Sequence, residues 1–221
     1  TMFIYGKEET WTSWLGIELG FCIPQGHKWL GVYQTRPCRV MLIQTEQAEH
    51  IYQKRIIKFA RNVNGTFPSA ELLLATDLSL KLDNAFGLGL MEQALIEWRP
   101  AVVILDNLYH LMSGAVADEV DAKRFTDGLD RLKQKYSVAF VIIHHPRKIQ
   151  QGETATDPED IENMFGASSF RWWADTVMRV TEVNREQDIY RLTFQKTKNA
   201  ENRVPPIRVK ANRATVRVQV C

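Results

Sequence analysis

A three-layer α/β fold is the first expectation: a mostly parallel central sheet, helices on both of its faces and antiparallel hairpins towards the carboxyl end. Three observations predict it. Short, nearly continuous apolar runs recur at residues 2–5, 39–43, 72–75, 101–105 and 138–143. Strands of that kind are buried on both faces, as in parallel sheets. Stretches with helical spacing alternate with these runs, which makes βαβ units. Beyond residue 176 the runs come in pairs around polar turns, the pattern of hairpins.

The elements follow in order. After the strand at 2–5 comes a helix at 13–23. Residues 48–62 form the next helix, with Ile51, Arg55, Ile56 and Phe59 at helical spacing. Further helices are expected at 87–98 and 118–136. Residues 149–163 are polar and acidic, with Gly152 and Pro158, and read as a surface loop. A short helix is expected at 166–174. Strands at 177–183 and 189–195 flank the turn 184–188, and strands at 207–210 and 215–220 flank a second turn. No repeat or linker interrupts the chain, so residues 1–221 are read as one domain. The first strand begins at the second residue, so an upstream segment is expected to precede it.

Composition narrows the class. The 221 residues are long enough for one large core, and 45% hydrophobic with 24% charged is an ordinary soluble balance. No apolar run approaches the ~20 residues of a membrane span. With no signal peptide ahead of the first strand, a cytoplasmic protein without membrane contact is expected. Three cysteines, Cys22, Cys38 and Cys221, have no metal-binding spacing and read as reduced thiols. Charge is uneven: residues 185–221 carry nine Lys or Arg against three Asp or Glu. A basic tail either faces nucleic-acid phosphates or is the solvated side of a terminal sheet, and charge alone leaves both open.

The motif with most chemical content follows the first strand: Gly6-Lys7-Glu8-Glu9-Thr10-Trp11-Thr12-Ser13. A strand, a turn opening on Gly and a helix opening on Ser make a phosphate-binding loop, usually spelled G-x-x-x-x-G-K-[ST]. Gly6 and Ser13 stand at the correct spacing. Trp11 replaces the second Gly, and Thr12 replaces the Lys whose ammonium meets the terminal phosphates. Three explanations of Thr12 are open: substitution of an original Lys, a compensating swing of Lys7, or a site that binds nucleotide without turning it over.

Three strand ends supply further candidates. The run 101–105 ends in Asp106, where a carboxylate can hold Mg²⁺; a plain turn aspartate is the alternative. The run 40–45 ends in Glu46, a group able to orient or deprotonate an attacking water; a helix-capping acid is the alternative. The run 140–143 ends in His144 and His145. Adjacent strand residues face opposite ways, so the pair does not suit one metal ion. One of them can sense phosphate, or both can be satisfied strand-end imidazoles.

In this order the motifs resemble the RecA-type ATPases, and within them the hexameric replicative helicases of the DnaB-like and RepA-like branch. The segment from Gly166 to Val177, Gly-Ala-Ser-Ser-Phe-Arg-Trp-Trp-Ala-Asp-Thr-Val, and Phe194-Gln-Lys196-Thr-Lys198 extend the likeness to nearly the whole chain. The resemblance implies a RecA-like fold and ATP with Mg²⁺ as cofactors, with Ser13 and Asp106 at the metal and residues 6–13 on the phosphates. It implies Glu46 as the catalytic glutamate and His144 or His145 as sensor. Lys196 and Lys198 are then fingers reaching a neighbour's γ-phosphate, where the family more often has Lys-x-Arg. It further implies a homo-oligomeric ring around single-stranded DNA, with pore loops at 113–123 and 147–165. The second of these is net acidic, which gives poor support for phosphate binding. A recombinase or KaiC-like regulatory ATPase shares the same core. A catalytically silent nucleotide-binding scaffold is the reading that Thr12 favours.

Overall fold

Strand β1 (Met2–Gly6) runs into helix α1 (Thr12–Gln25), and the pair is followed by β2 (Val40–Gln44), α2 (Glu49–Arg61), β3 (Leu72–Thr76) and α3 (Ala85–Trp98). Then come β4 (Val102–Asp106), a single 3-10 turn at Leu108–Leu111, α4 (Glu119–Tyr136) and β5 (Ala139–His144). The chain closes with α5 (Ser168–Trp173), β6 (Thr176–Asn184), β7 (Ile189–Thr197), β8 (Ile207–Asn212) and β9 (Arg217–Val220). This computed structural model describes residues 1–62, 70–145 and 167–221. The polar stretch 149–163, the expected pore loop 147–165 and Gly166 lie outside the described residues.

Among the described residues the strands form one sheet in the order β3-β2-β4-β5-β1-β6-β7-β8-β9. Pairing from β3 through to β6 is parallel, and from β6 to β9 it is antiparallel. The expected three-layer architecture is therefore present. Period-2 alternation sorts the strand residues onto two faces. Phe3, Met41, Ile43, Val103, Leu105, Phe140 and Ile142 pack on one side with residues of α3, α4 and α5. Ile4, Val40, Leu42, Ile104, Val141 and Ile143 pack on the other with α1 and α2. Burial on both sides explains why these strands read as unbroken apolar runs.

Helix α1 sits close against the sheet. A Cβ at Gly16 would stand 3.1 Å from Ile143 Cδ1, and one at Gly20 would stand 3.2 Å from Leu42 Cδ1. Those two glycines let the helix that carries the loop lie low over the strand tips. Glu18 of this helix is buried and meets Arg217 of β9 at 3.2 Å, which ties α1 to the far hairpin.

The boundaries differ from the expected ones at a few ends. Helix α1 continues to Gln25 with Pro24 in its last turn, and Gly26 closes it in the left-handed region at φ 65°. Helix α3 starts two residues early because the Asn84 side chain caps it, accepting from the Gly87 N–H at 3.0 Å. Strand β7 runs on to Thr197, so Lys196 is a strand residue rather than a loop residue. Polar residues extend this strand because its tail is only half-buried, and hydropathy gave no signal there.

Candidate nucleotide site

The loop between β1 and α1 takes the path of a phosphate loop in spite of its spelling. Glu9 and Trp11 both adopt positive φ, 66° and 67°, a region that suits glycine. Trp11 thus keeps a glycine-like backbone where the usual motif has Gly, at a cost of about 1–2 kcal/mol. Packing holds it there: its ring lies 6.0 Å from that of Trp14, and its indole N–H reaches the Tyr190 hydroxyl. The turn closes through Thr10, whose amide (3.2 Å) and hydroxyl (2.6 Å) both donate to the Lys7 carbonyl. A Cβ at Gly6 would fall 2.4 Å from Thr10 Oγ1 and 2.9 Å from the Val180 carbonyl, so this position has no room for a side chain. No side chain caps α1, and no acid occupies its first turn. Its opening amides and its dipole are therefore available to an anion.

A cleft of about 860 Å³ opens above this helix end. Thr12, Ser13, Glu46, Asn107 and His145 all line it. Glu8, Glu9 and Trp11 of the loop also face it, whereas Lys7 does not. A swing of Lys7 into the place of the missing ammonium is thus absent from this conformation.

The two strand-end acids are brought together by register. Gln44 pairs with Asp106 across β2 and β4, which sets Glu46 two residues past the edge. The Glu46 carboxylate accepts from the Asn107 side chain at 2.8 Å. The residue that caps α2 is Ala48 and the first-turn acid is Glu49, so Glu46 fills neither alternative role. Asp106 is buried beneath the Ser13 hydroxyl. Burial raises its pKa above the ordinary carboxylate value, against the lowering effects of Ser13 and the neighbouring His145. Its Oδ1 is buried with no hydrogen-bond partner. A buried carboxylate oxygen without a partner, next to a serine hydroxyl, is an all-oxygen arrangement that suits Mg²⁺.

The two histidines separate as strand geometry requires. His144 is buried at the end of β5, in register with Tyr5. His145 faces the cleft, its Nδ1 3.2 Å from the Gly6 carbonyl. Lys196 and Lys198 line no part of the cleft. Lys196 donates to the carbonyls of Arg171 (2.8 Å) and Trp172 (3.3 Å) at the end of α5, and Lys198 lies 3.9 Å from Asp175. Burial, helped by the charge of Lys198, lowers the pKa of Lys196.

Several residues of the cleft were missed from the sequence. Arg55 comes from α2, Tyr109 and His110 from the 3-10 turn, and Arg185, Tyr190 and Arg213 from the hairpins. Arg185 pairs with Glu9 at 3.1 Å, and Arg213 with Asp188 at 2.7 Å. Of these, only the basic surplus after residue 185 left a trace in the sequence.

A family model described as an AAA domain matches residues 1–151, more than half of the chain. The chain belongs to the AAA domain family. That match spans the loop, Glu46, Asp106 and both histidines. A comparison with curated proteins finds no match. Among solved structures, the ATPase domain of a DnaB-like replicative helicase superposes with a TM-score of 0.72 at 10% identity, over 99% of this chain and 83% of that one. The fold of this AAA-domain chain is therefore the RecA-like one, and the likeness to RecA-type P-loop ATPases drawn from the motifs is borne out.

Proposed function

We propose that this chain is the ATP-hydrolysing motor core of a replicative DNA helicase, one RecA-like domain over residues 1–221 acting in the cytoplasm as a hexameric ring. The observation that carries the reading is the convergence of Ser13, Asp106, Glu46 and His145 on one cleft, at the carboxyl edge of a parallel sheet where such sheets bind ligands.

Residue roles follow from position. The amides of the loop from Gly6 to Ser13 cradle the phosphates at the α1 N-terminus. Ser13 and Asp106 would hold Mg²⁺, which when bound supplies charge neutralisation at the β- and γ-phosphates. Glu46, kept in place by Asn107, orients the attacking water. His145 stands between the Gly6 carbonyl and the cleft, placed to respond to the terminal phosphate. Lys196 and Lys198 point away from their own cleft, as residues serving a neighbouring subunit must. Lys196 would have to leave the α5 carbonyls to do so. ATP would then lie between subunits, and its hydrolysis would draw single-stranded DNA through the ring. The likeness to a helicase ATPase domain supports ATP hydrolysis by this fold.

The missing ammonium favours a second reading, a scaffold that binds nucleotide without turnover. Hydrolysis measured with and without single-stranded DNA, beside salt-titrated binding of an oligonucleotide, separates the two. The motor reading expects hydrolysis that DNA stimulates and DNA affinity that falls steeply with salt. Absence of DNA affinity at low salt contradicts it. Nucleotide binding with no turnover, in the native chain and in Thr12→Lys alike, selects the scaffold.

A further inference from the structure

We propose that Arg55 supplies, from helix α2, the positive charge toward the terminal phosphates that the loop from Gly6 to Ser13 lacks. The inference rests on the nucleotide-site reading and adds a binding residue to it.

A polyphosphate beside Glu46 and Asp106 brings several negative charges against two acids, and Thr12 offers only a hydroxyl. Some cation must balance them. The cationic side chains that line the cleft are Arg55, Arg185, Arg213 and, when protonated, His145. Arg185 is committed to Glu9, and Arg213 is held by both oxygens of Asp188. Both are largely exposed, at 73% and 68% of the side chain. His145 already meets the Gly6 carbonyl.

Arg55 differs on each count. It has no ion pair among the described residues. It is half-buried, and its guanidinium lies 5.4 Å from the ring centroid of Trp14, the residue directly after Ser13. Stacking over that indole holds the charge at the mouth of α1 without neutralising it. Its field also reaches Asp106, whose carboxyl it helps to hold in the ionised form. A guanidinium placed between Trp14 and Asp106 stands beside the proposed metal site, where the terminal phosphates would lie. Its planar fork suits bidentate contact with phosphate oxygens. The position on α2 is nine residues past Glu46, so the same strand–helix unit delivers the water-orienting acid and the compensating base.

The test is a four-way comparison by isothermal titration calorimetry: the native chain, Arg55→Ala, Thr12→Lys and the double variant. Each is titrated with a nonhydrolysable ATP analogue plus Mg²⁺ and, separately, with AMP. Arg55→Lys, followed with Arg55→Ala by thermal melting, guards against a folding defect. The expected result is that Arg55→Ala weakens the triphosphate analogue by at least about tenfold and AMP by less than about twofold. Thr12→Lys should restore most of the loss in the double variant, and Arg55→Lys should fall between native and alanine. Unchanged analogue affinity in Arg55→Ala overturns the proposal and leaves the nucleotide site standing. So does an equal loss for AMP and analogue that Thr12→Lys does not repair, since that marks a packing role for the Arg55–Trp14 pair. Absence of binding in both the native chain and Thr12→Lys overturns the nucleotide-site reading itself, and this proposal with it.

Discussion

One wall of the cleft is the carboxyl edge of parallel strands β1, β2 and β4; the other is made by the turns of the β6–β7 and β8–β9 hairpins. The first wall carries hydroxyls and acids: Ser13, Glu46 and, beneath it, Asp106. Their positions are fixed by sheet register and by buried contacts, such as Gln44 opposite Asp106. The second carries Arg185, Tyr190 and Arg213, mostly on exposed turns. Its ion pairs are of the kind worth about 0–1 kcal/mol each. The rigid wall thus holds groups whose placement chemistry depends on, and the looser wall contributes mainly charge. Arg55 belongs to neither: it stands on a helix of the rigid half but carries the sign of the loose one.

This contrast can be broken or sharpened by substitution. The largest effect is expected on the rigid wall. Glu46→Gln should lower ATP turnover by about 10²–10³-fold while the nonhydrolysable analogue still binds. Turnover that stays within a few-fold of native would remove Glu46 from the chemistry. Restoring the ammonium comes next. Thr12→Lys should raise turnover at least about tenfold, because a charge-assisted contact to phosphate contributes about 1.5–3 kcal/mol. A flat rate would show that charge from elsewhere in the cleft already suffices.

A third, smaller effect concerns the tie between the supports of the two walls. Burial raises the Glu18 carboxyl to about 7 despite its contact with Arg217. The unfolded chain releases that proton near the ordinary value of 4.5, whereas the folded chain keeps it until about 7. The stabilising contribution is therefore complete below pH 4.5 and is lost as pH rises through about 7. Thermal melts across that window should decline in the native chain, and Glu18→Gln should flatten the decline. The smallest effect is expected on the loose wall, where Arg185→Ala should cost less than about 1 kcal/mol in melting experiments. A larger loss would mean that the hairpin turn is as firmly built as the strand edge.

Legibility in the sequence follows the same division. Parallel strands buried on two faces leave unbroken apolar runs, so β1 to β5 and the acids at their tips could be read directly. The loop was recognisable from Gly6 and Ser13 alone. Its left-handed residues Glu9 and Trp11 could not be foreseen, since neither has a propensity for positive φ. Arg55 was visible only as a point on a helical face, because what makes it functional is a contact with Trp14 across the cleft. Tyr190 and Arg213 reach the site through antiparallel pairing over long separations, for which local pattern carries no signal. The separate environments of His144 and His145 were anticipated by strand alternation. Which of them faces the cleft depended on the exact end of β5.

The most direct test of the nucleotide site is calorimetric titration of the native chain with a nonhydrolysable ATP analogue, with and without Mg²⁺, repeated on Asp106→Asn. The predicted result is one saturable binding event that Mg²⁺ tightens, with the metal effect lost in the variant. No binding at millimolar analogue, or a metal effect that persists undiminished in Asp106→Asn, would contradict it.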